Sequence, residues 1–445
     1  MSDDPPLTPF ARHPFLARPP AWLAPAGFAA LAVSTVVLFL VFSRYKLFTG
    51  MDALVYRHGA DDLWHGRTLY AFTPGVLPFT YPPMAAVAFL PMLLVPPYVA
   101  AKALAAASLA GLYLVIWIGL GMIGVPRGGG RAGLAAALTA AALWLEPVVS
   151  DLEFGQINLL ILPLVIADLA TPNRRWHKGI GIGLAAAVKL TPALFVVYLL
   201  ATRRWRAAAV ATATFLAAAA VGLLADPHDS TGFWSDLGSS DRVRDATPLW
   251  YVGDQSLHGL LLRAVHGAQS ADRAWLVAAA VTVVATLWLA TRASRTGNEL
   301  LAAVLVFLGA VLVSPVSWTH HWVFVALLPV LLLDVALNRR THPWPVLPAA
   351  LLILVFLNWP SSATAHFDHN PWGLVFLDPH FDAVPSQGPQ PELHWTWPQH
   401  LLGESYTLAA LVLLTMFAFL ASRTPPPTAP GDPRFSTAVV PSGGR

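Results

Sequence analysis

Residues 50–83 read GMDALVYRHGADDLWHGRTLYAFTPGVLPFTYPP, and they follow a run of membrane-grade apolar residues from Trp22 to Phe42. This one loop carries Asp52, Tyr56, Arg57, His58, Asp61, Asp62, His65, Arg67 and Tyr70. It closes on Phe79, Thr80, Tyr81, Pro82 and Pro83, where apolar sequence resumes. A polar, aromatic segment between two such tracts is costly to keep at a membrane surface, so its ionisable residues are functional candidates. The spacing predicts a short amphipathic helix from Asp52 to Trp64. Asp52 itself has two readings: the N-cap of that helix, a position Asp favours, or a catalytic base just beyond the first membrane helix. Asp61 and Asp62 fall on the solvated face.

The composition around this loop places the chain in a bilayer. Of its 445 residues 56% are hydrophobic and only 11% charged, against about 25% charged in an ordinary soluble domain. The expected class is therefore an all-α polytopic membrane protein. The first apolar run has no small-residue cleavage site ahead of a hydrophilic domain, so it reads as a retained helix and not a signal peptide. Cysteine is absent, which removes a disulfide framework and a thiolate metal site. Lysine occurs only at 46, 102, 178 and 189; this arginine bias, with abundant Ala and Pro, is that of a high-GC bacterial genome such as an actinobacterial one. The net charge of +3 does not indicate nucleic acid, because the arginines sit in short loops between helices, where the positive-inside rule wants them.

Residues 1–20 and 423–445 are Pro-rich and polar, an expected disordered leader and tail on the cytoplasmic side. They flank a single transmembrane domain, 21–422, of about 11 to 13 spans. Placing the basic stretches 127–131, 173–178, 203–206, 292–295, 339–340 and 423 in the cytoplasm sets the loops at 44–82, 146–158, 225–271, 314–321 and 359–404 together on the other face. That topology requires 83–123, broken by Pro91, Pro96 and Pro97, to cross an odd number of times, and 179–200 an even number. A spanning helix needs ~20 residues, so 179–200 is expected to be a hairpin of two half-helices with Lys189 near its tip. Residues 83–97 are expected to be re-entrant or interfacial, which is tolerated where such backbone lines a cavity.

Lys189, in AAAVKLTP, is the sharpest polar signal inside an apolar run. A lone ammonium there costs about 2.5–3.5 kcal/mol on insertion scales, so it must meet a partner, water or an anionic headgroup. In SPVSWTHHW, His320 and His321 lie at the mouth of a helix beside Trp318. Neighbouring helical residues point about 100° apart, and no HxxxH spacing accompanies them, so no metal is expected. One of the two is expected to face the cavity, as a hydrogen-bond donor to phosphate or a partner for Asp52. Glu153, Gln156 and Asn158 in DLEFGQIN, with Asp254 and Gln255 in GDQSLHG, read singly as helix caps; the convergence of their loops on one face argues for a site. The Trp- and His-rich loop 359–404 reads as an aromatic belt or a cover. No P-loop, dinucleotide fingerprint or nucleophile elbow is present.

Taken together, DALVYRHGADDLWHGRTLY, FTYPP, GQINLL, VKLTP, DQSLHG and SPVSWTHHW resemble glycosyltransferase family 87, integral-membrane enzymes of the GT-C class, over residues 50–325. The resemblance implies the GT-C fold, a polyprenyl-phosphate mannose donor and a phosphatidylinositol mannoside acceptor in the lipid bilayer. It further implies an α-1,2 product made by inversion at the outer face of the plasma membrane, with neither cofactor nor nucleic acid. The family's carboxylate in the first external loop falls on Asp52, and its later histidine on His320 or His321. The expected donor-phosphate and substrate-binding set is Lys189, Tyr56, Arg57, His58, Tyr81, Glu153, Gln156, Asn158, Asp254, Gln255 and Trp318. The chemistry is consistent: a glycosidase needs two carboxylates, one to protonate a poor leaving group, whereas a polyprenyl phosphate leaves as a stable anion and needs its charge stabilised. Two other readings are a transferase of another lipid-linked sugar, such as arabinofuranose, and a transporter or flippase for a lipid-linked sugar, in which broken helices also occur.

Overall fold

Near-continuous apolar sequence makes α1 (Leu23–Tyr45), and large side chains such as Phe28, Val33 and Phe39 face outward on it, as on a helix that faces lipid. The computed structural model describes residues 20–45, 48–71, 77–236, 249–265, 268–337, 346–359, 373–377 and 391–423. The expected leader and tail, and most of the 359–404 loop, lie outside the described residues. Among the described residues there is no strand, and the extended pairings are two isolated bridges, Leu145 with Leu357 and Asp254 with Trp318. The all-helical reading holds.

After α1 come α2 (Met51–Trp64), α3 (Pro83–Phe89) running into a 3-10 turn over Leu90–Leu94, and α4 (Pro97–Met122). The chain continues through α5 (Gly129–Ala142), α6 (Glu146–Phe154), α7 (Asn158–Ala170), α8 (Ile180–Val188), α9 (Leu194–Ala201) and α10 (Trp205–Ala225). The second half holds α11 (Pro227–Ser235), α12 (Leu257–Val265), α13 (Ala268–Arg295) and α14 (Glu299–Val313), the last buried along most of its length. A 3-10 segment over Thr319–Leu327 then leads into α15 (Leu328–Leu337), followed by α16 (Val346–Leu354), α17 (Trp397–Gly403) and α18 (Ser405–Arg423).

Among the described residues, five helices are long and apolar enough to cross a bilayer: Leu23–Arg44, Pro97–Met122, Trp205–Ala225, Ser270–Arg295 and Thr319–Ala336. Two sharply bent pairs, Glu146–Phe154 with Asn158–Ala170 (118°) and Trp397–Gly403 with Ser405–Ala418 (75°), raise this to up to seven. That is fewer than the 11 to 13 read from hydropathy. The physical reason is breakage: Pro83–Leu94, Thr191–Ala201 and Glu299–Val313 are apolar but short. Prolines and Lys189 interrupt the first two tracts, and a proline ring removes one helical hydrogen bond and clashes with the preceding turn.

The hairpin expected at 179–200 is present. Gly179 lies against Ala207 and Gly183 against Ala211, so α8 runs parallel to α10. After α9 the chain turns tightly from Ala201 into Trp205 at the start of α10, so α9 runs in the direction opposite to α8, packed on α10 and not on α8 itself. The Arg206 guanidinium, at that turn, donates to the carbonyls of Asn173 and Arg175 just before α8. Both basic flanks are thus together, and Lys189 sits at the opposite tip. Gly179 is needed twice over: its φ is +113°, and a Cβ there would lie 2.3 Å from the Ala207 carbonyl oxygen. Lys178 closes the joint with α7, donating to the carbonyls of Asp168, Leu169 and Thr171 at 3.0, 3.0 and 2.6 Å, a cation on the last carbonyls of a helix.

The crossing parity of 83–123 is also resolved. The start of α3 packs on Gly222 near the end of α10, and Gly50 packs on Ala101 near the start of α4. Pro83–Leu94 therefore stays near the end of the bundle that holds Asp52. α4 then runs to the basic end, where Arg131 donates from Nε to the Trp117 carbonyl at 2.7 Å, and crosses once. At the basic end Arg204 pairs with Glu299. At the other end the buried Arg263 guanidinium forks onto Glu404, Nε to Oε1 and Nη2 to Oε2, both at 2.6 Å, and ties α12 to the α17–α18 bend.

Candidate active site

Asp52 is the second residue of α2, a helix outside the membrane-crossing set. Its N-cap is Gly50, with no side-chain cap hydrogen bond, so the capping reading of Asp52 is not what the fold uses. Instead the backbone pins the entry: Gly50 N–H donates to the Glu153 carbonyl at 2.9 Å. The Asp52 carboxylate turns inward and accepts from Gln156 Nε2 at 2.8 Å. Burial pushes its pKa up from 3.8 to about 6, while the Gln156 hydrogen bond and the Lys189 charge pull it back. A carboxylate with that value is ionised at neutral pH and still basic enough to take a proton in a transition state.

Gln156 is the hub. It follows Gly155, which ends α6 in a left-handed conformation (φ +66°) and packs so closely on α2 that a Cβ would lie 2.8 Å from that of Ala53. The amide oxygen accepts from the Tyr56 hydroxyl at 2.6 Å, with the Tyr81 hydroxyl 3.4 Å away. The amide nitrogen faces both Asp52 and His320 Nε2, the latter at 3.1 Å. An amide NH2 only donates, so His320 Nε2 accepts, which makes His320 a neutral imidazole with its proton on Nδ1. Burial pushes the phenols of Tyr56 and Tyr81 above their ordinary value, and the nearby Asp52 charge adds to this. They stay protonated and act as donors.

Asn158 links this group to Lys189. Its Oδ1 accepts from Lys189 Nζ at 2.7 Å, while its Nδ2 donates to Asp151 Oδ1 and to the His320 carbonyl, both at 3.0 Å. The Lys189 ammonium also lies over the Tyr81 ring, 5.6 Å from its centroid. His321 joins Lys189 and Asn158 in lining a small cavity of about 40 Å³. The structure thus gathers Asp52, Tyr56, Tyr81, Gln156, Asn158, Lys189, His320 and His321 into one group, drawn from α2, the segment leading into α3, the α6–α7 bend, the α8–α9 tip and the turn before Trp322.

The remaining expected residues go elsewhere. Glu153 is buried, and its backbone carbonyl holds Gly50. Asp254 Oδ1 accepts from the N–H groups of Ser256 and Ser317 at 3.0 and 2.8 Å, and Trp318 pairs with Asp254 through the isolated bridge. The Gln255 amide donates to the carbonyls of Val252 and Gly403 at 2.7 and 2.6 Å. These three hold the turn that presents His320. Arg57 and His58 line a separate cavity of about 470 Å³ on another face of α2. Asp62 is buried and accepts from Arg67 Nε at 2.7 Å, which corrects its placement on a solvated face; Asp61 also meets Arg67, which holds its carboxyl below the usual carboxylate range.

Sequence reasoning missed Asp151. It is buried in α6, and its Oδ2 has no hydrogen-bond partner, so a second carboxylate stands beside the Asn158–Lys189 link. The signal was present as the first letter of DLEFGQIN, one helical turn before Gly155. Among the described residues, no group of three or more His, Asp or Glu side chains is arranged to hold a metal ion.

The model of glycosyltransferase family 87 matches residues 79–315. A Mycobacterium tuberculosis (strain H37Rv) polyprenol-phosphate-mannose-dependent α-(1-2)-phosphatidylinositol mannoside mannosyltransferase is 35% identical over 327 residues, covering 69% of this chain and 75% of its own. The Mycolicibacterium smegmatis protein of the same description is 37% identical over 331 residues, covering 68% and 74%. A second M. tuberculosis protein (strain CDC 1551), a polyprenol-phosphate-mannose-dependent α-(1-2)-phosphatidylinositol pentamannoside mannosyltransferase, is 38% identical over 300 residues, covering 65% and 68%. No solved structure matches the chain.

Proposed function

The chain belongs to glycosyltransferase family 87, and from that premise we propose that it transfers mannose from polyprenyl-phosphate mannose to a phosphatidylinositol mannoside. The reaction forms an α-1,2 linkage with inversion, at the extracytoplasmic face of the plasma membrane and without a metal. The activities named for the mycobacterial relatives support the donor and acceptor. One observation carries the mechanism: the Asp52 carboxylate, oriented by Gln156, lies beside a separate ammonium, Lys189, held by Asn158.

Asp52 takes the proton from the acceptor hydroxyl as that oxygen forms its bond to the anomeric carbon, on the face opposite the phosphate. The bond from that carbon to the phosphate oxygen breaks, and the polyprenyl phosphate departs with the electron pair. A β-linked donor then yields an α-linked product. The departing dianion needs charge stabilisation and not protonation, which fits Lys189 and His321 at one cavity. His320, whose Nε2 accepts from Gln156, orients the hub and is not a donor through that nitrogen. The outward orientation is supported by the basic loops gathered at the other end, where the positive-inside rule puts cytoplasmic loops.

The test is a transfer assay on detergent-purified protein with polyprenyl-phosphate mannose and a phosphatidylinositol tetramannoside. Wild type is expected to make pentamannoside in the presence of EDTA, and Asp52→Asn to bind donor but make none. Turnover by the purified Asn variant near the wild-type rate would remove Asp52 from the base role. Transfer from a decaprenyl-phosphate arabinofuranose donor alone would reassign the sugar.

A further inference from the structure

α2 carries two chemically different faces. Asp52 and Tyr56 enter the hub, but Arg57 follows Asp52 by five residues and is turned about 140° around the helix axis. With His58 and Asp61 it lines the cavity of about 470 Å³, whose apolar wall includes Met51, Leu54, Leu77 and Pro97. Arg57 Nε is buried without a hydrogen-bond partner. The nearest acids do not satisfy it: Asp61 and Asp62 are both engaged by Arg67. Asp61 shares the cavity wall with Arg57, but its carboxylate is engaged by Arg67, and a guanidinium with an uncommitted Nε presents a fork for phosphate oxygens.

The surroundings say what carries that phosphate. Pro97 leads the cavity wall into a lipid-facing surface where Leu94 is 85% and Tyr98 65% exposed. Lys102, one turn further along α4, places its ammonium 5.7 Å from the Tyr98 ring centroid. A cation in a part-apolar cavity, continuous with exposed apolar side chains and a second cation, matches a phospholipid: headgroup inside, acyl chains against Leu94 and Tyr98. We propose that Arg57 binds the phosphodiester of the acceptor phospholipid, on the side of α2 away from the hub. The acceptor's glycan then passes over the start of α2 at Met51, which lines the cavity next to Asp52, and brings its terminal hydroxyl to the base. This rests on the transferase reading above; the donor's phosphate belongs to Lys189 on the other side of the helix.

The experiment compares wild type, Arg57→Gln and Arg57→Lys with two acceptors, a phosphatidylinositol mannoside and a neutral octyl mannoside without phosphate. Arg57→Gln is expected to raise KM for the phospholipid acceptor about tenfold or more, with donor KM and the octyl acceptor unchanged, and Arg57→Lys to recover part of the loss as a point charge. A rise in donor KM, an equal loss with both acceptors, or no change would overturn the proposal. Should wild type transfer to neither acceptor, the function reading has failed, and lipid binding decides the site alone. Fluorescent phosphatidylinositol offered to protein in phosphatidylcholine nanodiscs is then expected to bind wild type and not Arg57→Gln. Equal binding to both, or none to wild type, would refute it.

Discussion

Replacing Gln156 with Leu should move the acid limb of the reaction's pH profile upward. In the wild type, Asp52 is poised at about 6 by opposing effects: burial raises it, and the Gln156 hydrogen bond and Lys189 charge lower it. Removing the amide takes away the larger of the two lowering contributions. A hydrogen bond to a charged group contributes about 1.5–3 kcal/mol, and one pKa unit is 1.36 kcal/mol, so the limb should rise by about one to two units. The wild-type base would be about nine-tenths ionised at pH 7, and the variant's about one quarter at a midpoint near 7.5. The assay is kcat/KM for mannose transfer between pH 5 and 9, with saturating donor. A loss of about fourfold at pH 7 from ionisation alone, shrinking toward pH 9, is expected on top of any pH-independent loss from misplacing His320. A limb still near 6 with a uniform drop would mean that Gln156 only positions. A limb displaced to lower pH would show that the titrating group is not a carboxylate held by this amide.

Three further outcomes follow from the same contacts. The folded-state pKa of Asp52 lies above its unfolded value, so the ionised carboxylate costs the fold at most about 3 kcal/mol. That cost is fully present above about pH 6 and fades as pH falls toward 3.8. Asp52→Asn should therefore melt higher than wild type at pH 7.5 but not at pH 4, a gain in stability joined to loss of transfer. Asp254→Ala leaves the buried N–H groups of Ser256 and Ser317 without their acceptor, at about 1–3 kcal/mol each. It should lower kcat through a displaced His320 turn with little change in KM, and Asp254→Asn, which keeps an acceptor oxygen, should restore most of the rate. Glu404→Gln strands the Arg263 cation and should cost about 3–5 kcal/mol in detergent melting, while the paired change Arg263→Met with Glu404→Leu recovers much of it.

How far a residue's role could be read from the chain depended on whether one cheap solution existed. Lys189 in an apolar run flanked by basic loops had essentially one, a hairpin tip at a polar site, and the parallel packing of α8 on α10 bears this out. The expected substrate set put Arg57 with Lys189 and Tyr56, although five residues of helix set Asp52 and Arg57 about 140° apart. Asp254 and Asp52 were not separable in this way. Both are acids in loops at one end of the bundle, and only the partners differ: two backbone N–H groups for one, a lone side-chain amide for the other. Gln156 was harder still, because its partners lie 100, 104 and 164 residues away, and nothing local makes a glutamine a hub. The local clue was its neighbour. Gly155 takes a left-handed turn and leaves no room for a Cβ against Ala53, so the GQIN segment must approach α2 closely enough for the next side chain to reach the base. The glycine, rather than the glutamine, is where the sequence records that Asp52 has a partner.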